Sequence, residues 1–132
     1  MLVLDTNIII EIERKNKKLL FFLRDYLGKY PTIPYISFPT YAEFYYNYVG
    51  RKMSDQERAK QSLEVYEIIH TTKRSSQLLA EIKYYLDRDG KSIPIFDAVI
   101  ASIVLDNNAV LLTSDSHFKR VPNLSVIVFE NN

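Results

Sequence analysis

Two short apolar runs each stop at a carboxylate, and this feature constrains the fold more than any other. Leu2-Val3-Leu4 halts at Asp5-Thr6-Asn7, and the run from Ala109 to Leu112 halts at Thr113-Ser114-Asp115-Ser116. Runs that are apolar at every position read as strands buried on both faces, the pattern of a parallel sheet covered by helices. Open sheets of that kind bind ligands outside the carboxyl ends of their strands, so both aspartates are well sited for chemistry. Each also has a plainer reading. Asp5 or Thr6 can cap the helix that follows, and Asp115 can form a turn.

Between these strands the chain alternates helix and strand. Ile8 to Ile12 fit a short helix running into the basic segment from Arg14 to Lys18, and a second helix is expected from Leu19 to Tyr30. Tyr35-Ile36 suits a strand. Ser37 then caps a helix with Pro39 in its first turn, expected to run to Val49 and stop at Gly50. On that helix Tyr41, Phe44, Tyr45 and Tyr48 form an apolar stripe, and periodicity turns Glu43 toward solvent. Ser54 with Glu57 has the capping-box spacing and should open the next helix, which leads to a short strand at Glu67 to Ile69. A helix from Ser75 or Ser76 to Arg88 follows, then an extended linker at Ile93-Pro94-Ile95. Phe96-Asp97 begins a helix on which Ile100, Ala101, Val104 and Leu105 place Asp97 at the head of the apolar face. Capping its own helix would explain Asp97's position but not its direction. Val126 to Phe129 is the last strand. This order gives an α/β fold, a three-layer α/β/α sandwich around a central parallel sheet of four or five strands, in a single domain spanning 1–132.

Composition removes several function classes. The 132 residues include no cysteine, so disulfides, thiolate metal sites and cysteine nucleophiles are out of reach. With 17 Lys plus Arg against 16 Asp plus Glu, there is no global attraction to nucleic acid. Basic residues cluster locally, among them Lys119-Arg120. No apolar stretch approaches bilayer length and the N-terminus has no basic leader, so a soluble cytoplasmic protein is expected. Ten tyrosines and no tryptophan supply rings that serve equally as core filler, interface anchors or stacking surfaces for bases.

If the two buried strands are neighbours, Asp5 and Asp115 lie side by side and Asp97 enters from the start of the preceding helix. Crowded carboxylates repel one another unless a cation sits among them. Hard oxygen donors without cysteine or a spaced histidine pair point to Mg²⁺ or Mn²⁺, and the chemistry implied is metal-assisted phosphodiester hydrolysis. Leu4-Asp5-Thr6-Asn7, Ser37 with Glu43, Phe96-Asp97-Ala98-Val99-Ile100-Ala101, and Leu112-Thr113-Ser114-Asp115 with Phe118 together resemble a PIN-domain ribonuclease of the VapC toxin type. The likeness spans essentially the whole chain, in order. It implies an acidic Mg²⁺/Mn²⁺ pocket, RNA as substrate, an antitoxin protein as partner and a homodimer.

Carried over residue by residue, the resemblance makes Asp5, Glu43, Asp97 and Asp115 the catalytic acids, with Asp5, Asp97 and Asp115 holding the metal. Thr6, Asn7, Thr113 and Ser114 would orient them, and Lys119 and Arg120 are candidate RNA contacts. It also turns Glu43 toward the pocket, against its periodicity. With Asp5 recruited to the metal, helix capping falls to Thr6 or Asn7. Where many relatives carry a glycine soon after the glutamate, this chain has tyrosines and Asn47. A non-catalytic RNA- or protein-binding module on the same fold is the alternative. A phosphotransfer domain using Asp5 as nucleophile would want a second aspartate two residues on, where the chain has Asn7.

Overall fold

The computed structural model describes residues 1–131. Five strands, β1 (Leu2–Leu4), β2 (Pro34–Ser37), β3 (Glu67–Ile69), β4 (Val110–Thr113) and β5 (Ser125–Val128), form one sheet in the order β3-β2-β1-β4-β5. Every pairing is parallel. Six helices connect them: α1 (Thr6–Glu13), α2 (Lys17–Lys29), α3 (Phe38–Tyr46), α4 (Met53–Glu64), α5 (Lys73–Arg88) and α6 (Ile95–Asp106). A short 3₁₀ helix, Ser116–Arg120, follows β4.

The period-two alternation of strands splits the core into two layers. Leu2, Leu4, Ile36 and Leu112 face α1 to α4, where Ile8, Ile9, Leu19, Phe44 and Leu63 complete one cluster. Val3 and Leu111 face the other way, onto Ile82, Leu86, Ile100, Val104 and Phe118 from α5, α6 and the 3₁₀ helix. Leu2, Val3 and Leu4 are all essentially inaccessible, as an unbroken apolar run on a central strand requires. Strand order reverses between β1 and β4, so the crevice outside their carboxyl ends is the topological switch point. Leu4 pairs with Leu112 there, which puts Asp5 and the Thr113 to Asp115 step beside each other, as the sequence suggests.

Element ends differ from the sequence reading where side chains compete for backbone. Helix α4 begins two residues earlier than a Ser54 cap would place it. Lys52 holds the extended cap conformation, no side chain caps it, and the Gln56 amide donates instead to the Arg51 carbonyl at 2.8 Å. The reciprocal capping box belongs to α5: Ser75 N–H donates to Thr72 Oγ1 at 3.1 Å and Thr72 N–H to Ser75 Oγ at 2.7 Å. Asn16 caps α2 through Leu19 N–H, so that helix starts in the basic segment. Ser37 does cap α3, but the helix ends at Tyr46, and turns carry the chain to Gly50 at φ +89°. Ile95 lies inside α6, not in a linker. The Tyr41, Phe44, Tyr45 and Tyr48 stripe packs on the first core cluster.

Phe118 is 1% exposed and Phe21 is 73% exposed. Phe118→Ala is therefore expected to lower unfolding stability by about 3–5 kcal/mol, against at most about 0.5 kcal/mol for Phe21→Ala. Urea denaturation of the two variants checks this.

Candidate active site

Asp5 terminates β1 with an extended backbone and is the N-cap of α1, its Oδ1 accepting from Thr6 N–H at 2.8 Å. The cap and the site are thus one residue, and neither Thr6 nor Asn7 takes the capping role. A carboxylate has two oxygens, so Oδ2 remains for others. It accepts from Thr113 Oγ1 at 2.7 Å and from Asn7 Nδ2 at 3.3 Å. Of about four acceptor positions on a carboxylate, three are used. Asp5 is 5% exposed. Burial raises its pKa, the bonds from Thr113 and Thr6 pull it back, and the charge of Asp115 adds to the rise.

Thr113, fully buried at the end of β4, also accepts from Asp115 N–H at 3.0 Å. One hydroxyl therefore joins the two strand-end loops. Asn7 makes a second stitch, its Oδ1 accepting from Ser114 N–H at 3.1 Å. Ser114 contributes its backbone, and its side chain is exposed. Asp115 Oδ1 accepts from His117 N–H at 2.9 Å, capping the 3₁₀ helix, and lies 3.1 Å from His117 Nδ1. The turn-forming role of Asp115 is real and coexists with its place beside Asp5.

Glu43 is half-buried on α3 and accepts from Thr6 Oγ1 at 3.2 Å. Helical periodicity fails for it because α3 is covered on two sides: the tyrosine stripe meets the core, and the opposite side meets α1 and α6. Burial raises the Glu43 pKa, the Thr6 bond offsets part of that, and Asp5 adds to it.

Asp97 lies in the first turn of α6 but does not cap it. It is half-buried and, among the described residues, receives no hydrogen bond or ion pair. Burial, followed by the charges of Asp5, Asp115 and Glu43, pushes its pKa up to about 6, with His117 pulling the other way. The four acids that the sequence singled out are therefore electrostatically one group. His117 was missed. Its position two residues after Asp115 was the available signal.

The all-oxygen donor set suits a hard cation, and the undonated Asp97 among three like charges is where one would relieve most repulsion. Among the described residues no three acidic or histidine side chains converge into a ready-made cage. Mg²⁺ commonly takes only one or two carboxylates and keeps several waters, which fits an open site of this kind. Lys119 is exposed beyond Asp115, whereas Arg120 Nη1 is engaged by the Ser92 carbonyl at 2.9 Å.

The PIN domain family profile matches residues 2–124. This chain belongs to the PIN-domain family. It is 32% identical to Ribonuclease VapC2 of Rickettsia felis, with 92% of each chain covered. Superposed on the crystal structure of VapBC2 from Rickettsia felis bound to a DNA fragment from their promoter, it gives a TM-score of 0.82 at 27% identity over 98% of both chains. VapBC-1 from nontypeable Haemophilus influenzae gives 0.82 at 23% identity over 96% of both chains, a likeness of fold. The five-stranded parallel sheet between helices is the PIN-like architecture. No helix among the described residues of this PIN domain is long and apolar enough to cross a membrane.

Thr113→Val removes a donor from a buried carboxylate and should cost about 1–3 kcal/mol in urea denaturation. Asp97 has a folded pKa of about 6 against an ordinary 3.8, so between these values the folded state binds more protons than the unfolded one. Stability in chelator therefore falls as pH rises through that window. Asp97→Asn should abolish this component and melt higher than wild type above about pH 6, with the gain shrinking or reversing in Mg²⁺. A variant that melts lower in chelator would mean that Asp97 serves the helix and not the charge cluster.

Proposed function

We propose that this chain is a metal-dependent endoribonuclease that hydrolyses phosphodiester bonds in RNA as the toxin of a type II toxin–antitoxin pair. The observation that carries the reading is the charge cluster: Asp97, undonated and half-buried, feels Asp5, Asp115 and Glu43. Family membership and the 32% identity to a VapC ribonuclease support it.

Asp5, Asp97 and Asp115 are the ligands we assign to Mg²⁺ or Mn²⁺, with Glu43 completing the acidic set. A bound divalent cation supplies charge neutralisation at the phosphodiester and a more acidic water. The protein's own part is preorganisation. Thr113 and Asn7 fix Asp5 on the sheet axis, while Thr6 Oγ1 holds Glu43 against α1. Locked side chains of this kind lose little on reaching a reactive geometry. Lys119, on the 3₁₀ helix just past Asp115, is the candidate contact to the RNA backbone. Arg120 stands beside it, exposed, with one Nη1 donor on the Ser92 carbonyl and its other N–H donors left for the same role.

The same reading carries an antitoxin partner, a cytoplasmic setting and a homodimer. VapBC is a family of toxin–antitoxin systems, and exposed Tyr84 and Tyr85 on α5 offer apolar surface for contact between copies.

Purified protein should cleave RNA in Mg²⁺ or Mn²⁺ and lose the activity in chelator. Asp5→Asn and Asp97→Asn should each reduce cleavage by at least about 100-fold. Mg²⁺ should also raise the wild-type melting temperature, since a cation bound only by the folded state stabilises it. Equal cleavage by the variants would expose a contaminating nuclease. No cleavage together with no metal-dependent shift would favour a non-catalytic module.

A further inference from the structure

Beside the carboxylates lies an open cleft of about 550 Å³, lined by Thr6, Ala42, Glu43, Tyr46, Asn47 and Phe96. Glu43 belongs to the charge cluster already described and Thr6 donates to it, so the cleft is continuous with the site. Its walls are aromatic. Tyr46 stands three residues after Glu43 on α3 and Phe96 immediately precedes Asp97 on α6, so each ring is carried by a helix that also carries a site acid.

Both rings are left uncovered. Tyr46 is 78% exposed and Phe96 is 49% exposed. Neither makes a hydrogen bond or a ring contact with any described residue. The other aromatics on α3 behave differently: Tyr41, Phe44 and Tyr45 pack on the core, as does Tyr48 in the turn that follows, and Phe38 stacks on His70. Exposing two large apolar rings at one cleft has a solvation cost that a bound apolar surface would remove.

We propose that Tyr46 and Phe96 are a stacking clamp for unpaired bases of the RNA, next to the phosphodiester presented to the carboxylates. This rests on the ribonuclease reading and names the side chains that would hold its RNA beside the carboxylates. No Lys or Arg lines the cleft, and Glu43 there opposes phosphate, so the cleft can attract RNA through base faces and not through its backbone. Every base has a π-face, so such stacking is tolerant of sequence. It demands unstacked bases, which a duplex does not offer. The clamp therefore favours unpaired over paired segments, and Ala42, which also lines the cleft, adds no large side chain to its wall.

The test is steady-state cleavage of a short, fluorescence-quenched unpaired RNA in Mg²⁺, alongside the same RNA carrying abasic sites next to the scissile bond. Tyr46→Ala and Phe96→Ala are each expected to raise KM about tenfold, with the Mg²⁺-induced melting shift retained. Tyr46→Phe should keep the wild-type KM, because the ring and not the hydroxyl acts. Tyr46→Leu, which keeps bulk but no π-face, should behave like Tyr46→Ala and so separates stacking from packing. Abasic sites should weaken wild type but add little to the double alanine variant, the signature of one shared interaction.

Unchanged KM in the alanine variants, or an abasic penalty as large in them as in wild type, overturns the clamp while leaving the ribonuclease intact. So does loss of a co-purifying partner protein with RNA kinetics unchanged, which would make the cleft a protein-docking surface. Failure of the wild-type protein to cleave any RNA with metal is a different result: it removes the ribonuclease reading itself, and the clamp with it.

Discussion

Asp5 is gripped from three directions, and the site is assembled around that grip. Its backbone N–H continues the β1–β4 ladder by donating to the Leu112 carbonyl at 2.9 Å. Its Oδ1 starts α1, and its Oδ2 takes the Thr113 hydroxyl that also receives the Asp115 N–H. A buried charge is tolerated only when its lone pairs are satisfied, and here the satisfying donors come from both strands that meet at the switch point. The requirement to solvate Asp5 internally therefore forces the two loops into one arrangement. Removing Thr113 from that network would leave the most buried acid short of a donor and remove one of the two side-chain stitches between the β1 and β4 loops, leaving that of Asn7 with Ser114.

Around this satisfied carboxylate the others are progressively less satisfied. Glu43 has a single side-chain donor, Thr6. Asp97 has none, and it carries the largest repulsion, from three neighbours. Such a gradient is what distinguishes an acid that holds a site together from acids held in readiness. Structural carboxylates gain donors, whereas those left undonated among like charges are stabilised by a cation or a proton. The aromatic cleft adjoins the less satisfied side, through Glu43 and Phe96, so the unspent electrostatics and the uncovered apolar surface share one rim.

Much of this was legible in residue order. The unbroken Leu2-Val3-Leu4 run belongs to the strand at the centre of the sheet, because only a strand covered on both faces tolerates apolar residues at every position. Asp97 at the head of an apolar face does point inward. Glu43 shows where one-dimensional pattern gives out: periodicity knows the axis of α3 but not that α1 and α6 close on its far side. Ser54 shows a second limit. The capping-box spacing is present, yet the helix starts where Lys52 is extended and where Gln56 finds the Arg51 carbonyl. Local spacing proposes a cap, and competition for backbone groups decides it.

The layers, the strand-end placement of Asp5 and Asp115, and the oxygen-only chemistry of the acids can be read from residue order, because periodicity and residue type are local properties. That Asp5 is cap and site residue at once, that Thr113 is its principal donor, and that Asp97 stands without one are products of the folded chain. Those facts depend on which loops meet, 108 positions apart for Asp5 and Thr113. Hydrogen bonding across such a separation leaves no trace in spacing. It follows from the parallel pairing of β1 with β4, which brings the carboxyl ends of the two halted strands side by side.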